Sequence, residues 1–268
     1  MSGERPAVSV VMAVCNPDPV YLREAVDSML RQTFSDFELL IVEDPSPASA
    51  KEILDDIRDP RLVLCRNATP LGLAESLNAA IARARAPLIA RLDADDVCVP
   101  ERLEKQVAFL RAHPEIDVYG SRITVIDAAG RPFARRLLPL QHDDIAAALR
   151  RYNCISHPSV MMRKEPVERA GGYVPMPAED YDLWSRMLLA GSRFENSAED
   201  LVLYRLHPGA SKFTVIRAAI RACIEIKVRH LSGRFTARDR LRLLAERTLL
   251  LLPQPIVLWL FTRLQYKR

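Results

Sequence analysis

PLIARLDADDVCVPERL (Pro87–Leu103) decides how this chain folds. An apolar run, Pro87–Arg91, ends in three carboxylates within four positions, Asp93, Asp95 and Asp96, and a proline-led helical pattern follows. That order is strand, acidic loop, helix. In parallel α/β sheets ligands collect beyond the carboxyl ends of the strands, where this loop would lie. Nothing basic stands between the three acids, so they repel one another unless a cation offsets their charge. Clustered oxygen ligands suit a hard divalent ion such as Mg²⁺ or Mn²⁺, and Mg²⁺ is commonly held by one or two carboxylates plus substrate phosphates. A plainer reading leaves Asp95 and Asp96 to help begin the helix near Pro100, where acids are favourable. A calcium loop running from Asp93 to Glu104 fails, because its sixth position is Cys98 instead of glycine.

Working outward, the same alternation repeats. VSVVMAV (Val8–Val14), FELLIVE (Phe37–Glu43) and RLVLC (Arg61–Cys65) read as strands. Leu22, Val26, Met29 and Leu30 recur at helical spacing, as do Leu73, Leu77, Ala80, Ile81 and Ala84, and then Leu103, Val107 and Leu110. This predicts an α/β fold with a mostly parallel sheet covered by helices. Beyond Gly120, SRITVIDAAGRPFARRLL reads as a hairpin turning at Ala-Ala-Gly. Helices follow at Asp143–Arg150 and Glu179–Ala190, with a strand near Leu201–Arg205. Thr214–Arg247 reads as one or two basic helices, and the apolar LLLLPQPIVLWLF (Leu249–Phe261) follows them.

Composition narrows the function. At 268 residues and 49% apolar, the chain is long enough for one large domain or a domain with an appendage. It has only nine glycines, and neither G-x-G-x-x-G nor G-x-x-x-x-G-K-[ST] occurs, which argues against dinucleotide and P-loop sites. Five cysteines without a C-x-x-C pair give no zinc or redox motif. Cys15 and Cys65 lie in apolar runs and are expected as small buried hydrophobes. The start carries no signal-peptide pattern, so a reducing, cytoplasmic setting is expected. Charge is divided unevenly. Thr214–Arg268 holds 12 Lys+Arg against 3 Asp+Glu, a net of +9, whereas the remainder has 26 against 31, a net of −5.

The stretch NATPLGLAESLNAAIARARAPLIARLDADDVCVPERLEKQVAFLRAHPEIDVYGS resembles the family 2 glycosyltransferases of the GT-A fold. The likeness begins at VSVVMAVCNP and runs through QTFSDFELLIVEDPS to HPSVMMRKEPVERAGGYVPMPAEDYDLWSRMLLAG and YRLHPGASKF, about residues 7–213. It implies a GT-A fold with a nucleotide-sugar-binding half (7–120), an acceptor-binding half (121–213) and a basic helical extension (214–268). Asp93-Ala94-Asp95 resembles the family's Asp-x-Asp, with Asp93 toward the nucleotide-sugar and Asp95 in direct metal contact. By the same likeness Asp44 reads the nucleobase, and Ala13 to Asn16, including Cys15, lie along the base. Asp180 corresponds to the catalytic base, and His207 to a position that completes the metal site in some members. Pro45 stands where the family often has glycine, and Cys15 where an aromatic often lies against the base; both bear on which nucleotide binds.

Other readings remain beside these. Asp180 also suits the first turn of the helix carrying Leu183, Trp184 and Leu188. His157 reads as structural rather than as a residue facing the acceptor pocket, and His113, His142 and His230 have no supporting neighbours. The basic end suggests phosphate backbones, but no RNA-binding signature or interleaved aromatics accompany it, so nucleic acid is not expected. Leu249–Phe261 would span about 20 Å as a helix, short of a bilayer core, and Pro253 and Pro255 interrupt it. With Trp259, Arg263, Lys267 and Arg268 it fits an anionic membrane surface, or a helical pair folded onto the catalytic domain. Together these predict a metal-dependent, inverting glycosyltransferase using a nucleotide-diphosphate sugar, UDP-linked by preference, and a saccharide or lipid-linked acceptor. It would work in cell-surface polysaccharide or glycolipid synthesis at the inner face of the membrane. A sugar-phosphate nucleotidyltransferase would want glycine and lysine where the first loop reads CNPDP. A non-catalytic nucleotide-sugar-binding module is the remaining alternative.

Overall fold

β1 (Val8–Val14) and β2 (Phe37–Glu43) are buried at almost every position, which is why their sequences are apolar runs without alternation. The computed structural model describes residues 5–207, 211–253 and 256–257. β1 and β2 pair in parallel with each other, with β3 (Leu62–Arg66) beyond β2 and β4 (Leu88–Arg91) beyond β1. The helices between them are α1 (Pro19–Leu30), α2 (Ala50–Ile53) and α3 (Leu73–Arg83). α1 starts cleanly because Asp18 accepts from the Val20 and Tyr21 amides, with Pro19 at the first helical position.

After β4 the sheet becomes mixed. β5 (Val97–Cys98), α4 (Arg102–Ala112), β6 (Val118–Ile126), β7 (Pro132–Arg136) and α5 (His142–Leu149) follow in order. Then come β8 (Met161–Arg163), α6 (Lys164–Arg169), α7 (Glu179–Leu189) and β9 (Phe194–Arg205). The strand order is β3-β2-β1-β4-β8-β6-β9-β5, with β7 beside β6. β6 and β9 are parallel, while β8, β7 and β5 pair antiparallel to their neighbours. This is the predicted α/β GT-A architecture, a mostly parallel mixed sheet flanked by helices. One core cluster packs α1 and α4 on one face of the sheet, and a second packs α3, α5 and α7 on the other.

Three expectations need correction. Cys15 is exposed and Cys65 half-buried; each stands where the sheet gives out, so the apolar run behind it does not enclose it. β9 is not a short strand near Leu201 but begins at Phe194, its first half disguised by Glu195, Asn196, Ser197, Glu199 and Asp200. All three histidines read as unsupported have partners: His230 Nε2 lies 2.9 Å from the buried Asp182 carboxylate, His113 Nδ1 lies 3.2 Å from Glu115, and His142 Nδ1 accepts from the Phe194 amide at 3.2 Å.

The chain continues as α8 (Ser211–Ile226), a wide turn at Lys227–Leu231, a short 3₁₀ turn and α9 (Ala237–Leu249). Ile226 and Leu231 are fully buried in the same core cluster as Tyr181 and Trp184. Lys227 is buried and donates to the Arg151 carbonyl at 3.0 Å. Asp239, also buried, lies 3.5 Å from Arg150 and 3.6 Å from Arg151. This part of the extension is therefore folded onto the α/β body. The end of Leu249–Phe261, with Trp259, and the flanking Arg263, Lys267 and Arg268 lie outside the described residues, as does Pro255. Among the described residues no helix is long and apolar enough to cross a membrane.

Candidate active site

The acidic loop forms where β4 ends and before α4 begins. α4 starts only at Arg102, six residues past Asp96, so neither Asp95 nor Asp96 caps it. Asp96 instead turns inward, fully buried, and accepts from the Arg205 amide at 2.8 Å, while its Oδ2 has no partner. The β5–β9 pairing of Val97 with Leu203 and Cys98 with Val202, continued outward, brings Asp95 level with Arg205. Arg205 donates to the Asp95 carbonyl at 2.9 Å and stacks over Tyr21, fixing the loop from the β9 side. His207, two residues on, reaches the Asp95 carboxylate with Nε2 at 3.0 Å, and its ring rests 5.1 Å from that of Tyr21.

Asp93, Asp95 and Asp96 each offer an oxygen within 4.8 Å of the others. Burial and the neighbouring Asp93 charge raise the Asp95 carboxyl above its ordinary range, against the pull of His207. Asp96 is raised well above its range by burial and by the charges of Asp93 and Asp95. A dication between them would reverse both effects, and an orphaned buried oxygen beside two half-exposed carboxylates and an imidazole suits a hard ion.

Sequence reading missed Arg91. Its side chain, 3% exposed at the end of β4, pairs with Asp93, and two of its nitrogens have no partner. Its charge reaches Asp96, His157, Tyr173, Glu179 and Asp180 as well, so one buried cation serves both acidic groups. The signal was the lone basic residue inside the apolar run PLIAR.

Asp180 lies in the first turn of α7, half-buried. Asn153 donates to it at 2.6 Å and the Tyr181 amide at 2.8 Å. Burial raises its carboxyl, only partly opposed by those bonds and by Arg91. Glu179 beside it is pushed up to about 7 by burial and by the Asp180 charge. Two adjoining carboxyls poised above their usual range are suited to proton transfer. Ala178, just ahead, has a left-handed backbone (φ +63°), a costly conformation for alanine that aims both acids. His157 is structural: it meets the Tyr173 hydroxyl at 2.8 Å, and burial, with Arg91, holds it well below the usual imidazole range.

The first loop and the loop after β2 are knitted together. The Asn16 amide donates to Ser46 Oγ at 2.9 Å, and its side chain accepts from the Ala48 amide at 3.3 Å. Asn16 has φ +48°, which asparagine tolerates better than most residues. Ala13 is the last-but-one residue of β1, and Cys15 opens to solvent beside it. Asp44 accepts from Asn67 (2.7 Å), Leu71 (3.1 Å), Gly72 (2.7 Å) and Ser76 (3.1 Å). Burial opposes its ionisation, but these four donors outweigh it and hold the carboxyl below its usual range. Asp44 thus also organises the start of α3, where Gly72 adopts φ +80°.

The chain matches the family described as Glycosyl transferase family 2 over residues 9–171. The chain belongs to glycosyl transferase family 2. It is 33% identical over 201 residues to the amylovoran biosynthesis glycosyltransferase AmsE of Erwinia amylovora, covering 74% of this chain and 75% of that one. It is 34% identical over 205 residues to the O-antigen biosynthesis glycosyltransferase WbnJ of Escherichia coli, covering 75% and 80%. A further relative is WfaP of Escherichia coli, a UDP-Glc:alpha-D-GlcNAc-diphosphoundecaprenol beta-1,3-glucosyltransferase, 26% identical over 83% of this chain and 88% of that one. Solved structures share the fold. S. aureus TarS 1–349 in complex with UDP-GlcNAc has a TM-score of 0.63 at 18% identity, covering 89% and 79%. The mannosyltransferase PcManGT of Pyrobaculum calidifontis, in complex with GDP-Man and Mn²⁺, has 0.64 at 17%, covering 96% and 73%. The chain is thus a family 2 glycosyltransferase, and the two relatives above 30% identity are named for amylovoran and O-antigen biosynthesis.

Proposed function

We propose that this family 2 member is a divalent-cation-dependent, inverting hexosyltransferase. It takes a sugar from a nucleoside-diphosphate donor, UDP-linked by preference, to a saccharide or lipid-linked acceptor, at the cytoplasmic face of the membrane. The observation that carries the reading is the pair of acidic groups sharing one buried arginine: Asp93-Asp95-Asp96 with His207 on one side, Glu179-Asp180 on the other. Asp44, Ala13, Cys15 and Asn16 would border the base, and Asp93 the ribose and diphosphate. Asp95 and Asp93, with His207, would hold Mn²⁺ or Mg²⁺, which when bound supplies Lewis-acid stabilisation to the departing diphosphate.

Inversion in a single displacement needs a base on the acceptor side. Asp180 takes the acceptor hydroxyl's proton on its carboxylate, and Asn153 holds that carboxylate in orientation. Glu179, pushed up to about 7, stays largely protonated at mildly acidic pH and spares Asp180 a second full negative charge. Arg91 offsets charge on both sides without being exposed to solvent. The donor preference and lipid-linked acceptor draw support from the relative that uses UDP-Glc and a diphosphoundecaprenol acceptor, and from the fold neighbour bound to UDP-GlcNAc.

The test is a thermal-shift screen of nucleoside diphosphates with Mn²⁺, Mg²⁺ or chelator, followed by a nucleotide-sugar turnover assay. Stabilisation by UDP that requires the cation, with turnover, is expected. Binding without any turnover would reassign the protein as a nucleotide-sugar-binding module, and stabilisation by GDP alone would change the donor.

A further inference from the structure

α9 carries an apolar track on the face it turns to solvent. At 100° per residue, the inward positions are Asp239, Leu243, Glu246 and Leu250, all buried or half-buried. Opposite them stand Leu241, 70% exposed, and Leu244, 59% exposed, with Leu251 at 83% just past the helix end. A single exposed leucine is ordinary on a protein surface, but three along one line are not. Arg238 borders the track on one side, Arg240 and Arg247 on the other, all exposed and paired with no carboxylate among the described residues. Both acids of the helix face inward, where Asp239 meets Arg150 and Arg151, and Glu246 meets Lys227 and Arg242. The outward face therefore presents leucine with the small or neutral Ala237, Ala245 and Thr248, bordered by arginine and by no acid.

We infer that α9 is an interfacial helix that lies on an anionic lipid surface, with Leu241, Leu244 and Leu251 entering the headgroup boundary and the arginines meeting lipid phosphates. Apolar burial and attraction to anionic headgroups act together in such helices. The +9 charge of Thr214–Arg268 favours this partner over a second, equally basic copy of the chain. At 13 residues α9 is about 20 Å long, suited to lying in the interface. The helix is also braced against the base: Arg150 and Arg151 bind Asp239, and Asn153 in the same loop binds Asp180. Lipid contact would thus set the acceptor side of the site close to the bilayer. That last consequence rests on the proposed transferase reading; the docking itself does not.

The experiment is vesicle flotation of the full chain with phosphatidylcholine alone and with one part phosphatidylglycerol to two of phosphatidylcholine. Binding to the anionic vesicles only, declining as salt rises, is expected. Leu241→Glu with Leu244→Glu should weaken it at least tenfold while UDP binding and thermal stability stay as in the unsubstituted protein. Should that variant fail to fold, Arg238→Ser with Arg240→Ser and Arg247→Ser, all on exposed positions, should give the same loss. No flotation, equal flotation with neutral vesicles, or undiminished binding by folded variants would overturn the inference. So would self-association abolished by the leucine substitutions, which would give the face to a second copy. A chain that turns over nucleotide-sugar yet ignores vesicles removes the docking alone; one that floats but has no turnover removes only the transferase reading.

Discussion

Asp180 and Asp95 divide the proposed chemistry between them, and substitutions should separate them. Removing a general base commonly costs 10²–10⁴-fold in rate. Asp180 is bonded to Asn153 and its neighbouring amide and to no residue of the acidic loop. Asp180→Asn should therefore lose transfer by about that factor while binding nucleotide and Mn²⁺ nearly as before. Retained transfer in a folded variant would sink the role. Asp95→Asn should instead weaken Mn²⁺-dependent nucleotide binding by tenfold or more, about 1.4 kcal/mol, as read by calorimetry. Glu179 adds a pH signature. Its folded carboxyl is raised from 4.5 to about 7, so the folded state keeps a proton that the unfolded chain releases. That contribution is complete below about 4.5 and lost as pH rises through about 7. Its size is on the order of 3 kcal/mol. Thermal unfolding of Glu179→Gln should show a flatter profile across that window; an unchanged profile would remove Glu179 as its source.

At the scale of elements, what sequence disclosed follows from who does the burying. β1, β2 and β4 are covered on both faces, so their apolar runs stand out, and the acids after β4 are readable because three like charges there need a reason. β9 hid because its first half is a polar strand whose parallel partner β6 shifts register at Ser121–Arg122, breaking any period of two. Arg91 hid because one arginine in a strand has no pattern, and Ala178 because a left-handed alanine is set by the surrounding fold. The docking of the extension stood in the sequence only as one of two alternatives, and nothing marked the residue that anchors it: Lys227 reads as one more surface cation. Buried beneath Glu246 and the Arg151 carbonyl, it should matter far more than its neighbours. Lys227→Ala should cost about 3 kcal/mol, because it removes a buried cation and leaves the Arg151 carbonyl without its donor and the half-buried Glu246 with only the exposed Arg242. Arg242→Ala, removing a half-exposed partner of the same Glu246, should cost under about 1 kcal/mol. Equal losses in chemical denaturation would show that the burial is not decisive.

For the whole molecule, the uneven charge suggests a separable basic tail, but the packing argues otherwise. The turn at Lys227–Leu231 supplies Leu231 to the core cluster that also holds Trp184 and Tyr181, and Ile226 enters just before it. Burying each of these two aliphatic side chains is worth roughly 1.5–3 kcal/mol, and the Lys227 and Asp239 contacts go with them. Their joint loss, before the newly exposed core surface is counted, approaches the roughly 5–15 kcal/mol by which whole domains are stable. A chain ending at Lys212 should accordingly lose its cooperative thermal transition or aggregate, although every candidate site residue remains in it. A chain ending at Pro253 keeps α8, α9 and all of these contacts, and should melt within a few degrees of the full protein. If the shorter chain melts cooperatively at the same temperature as the longer one, the extension is an independent appendage and the docking energy assigned here is wrong. The same comparison explains why point substitutions on α9, and not truncation, are the proper probe of lipid binding: removing the whole extension would confound a lost surface with a lost fold.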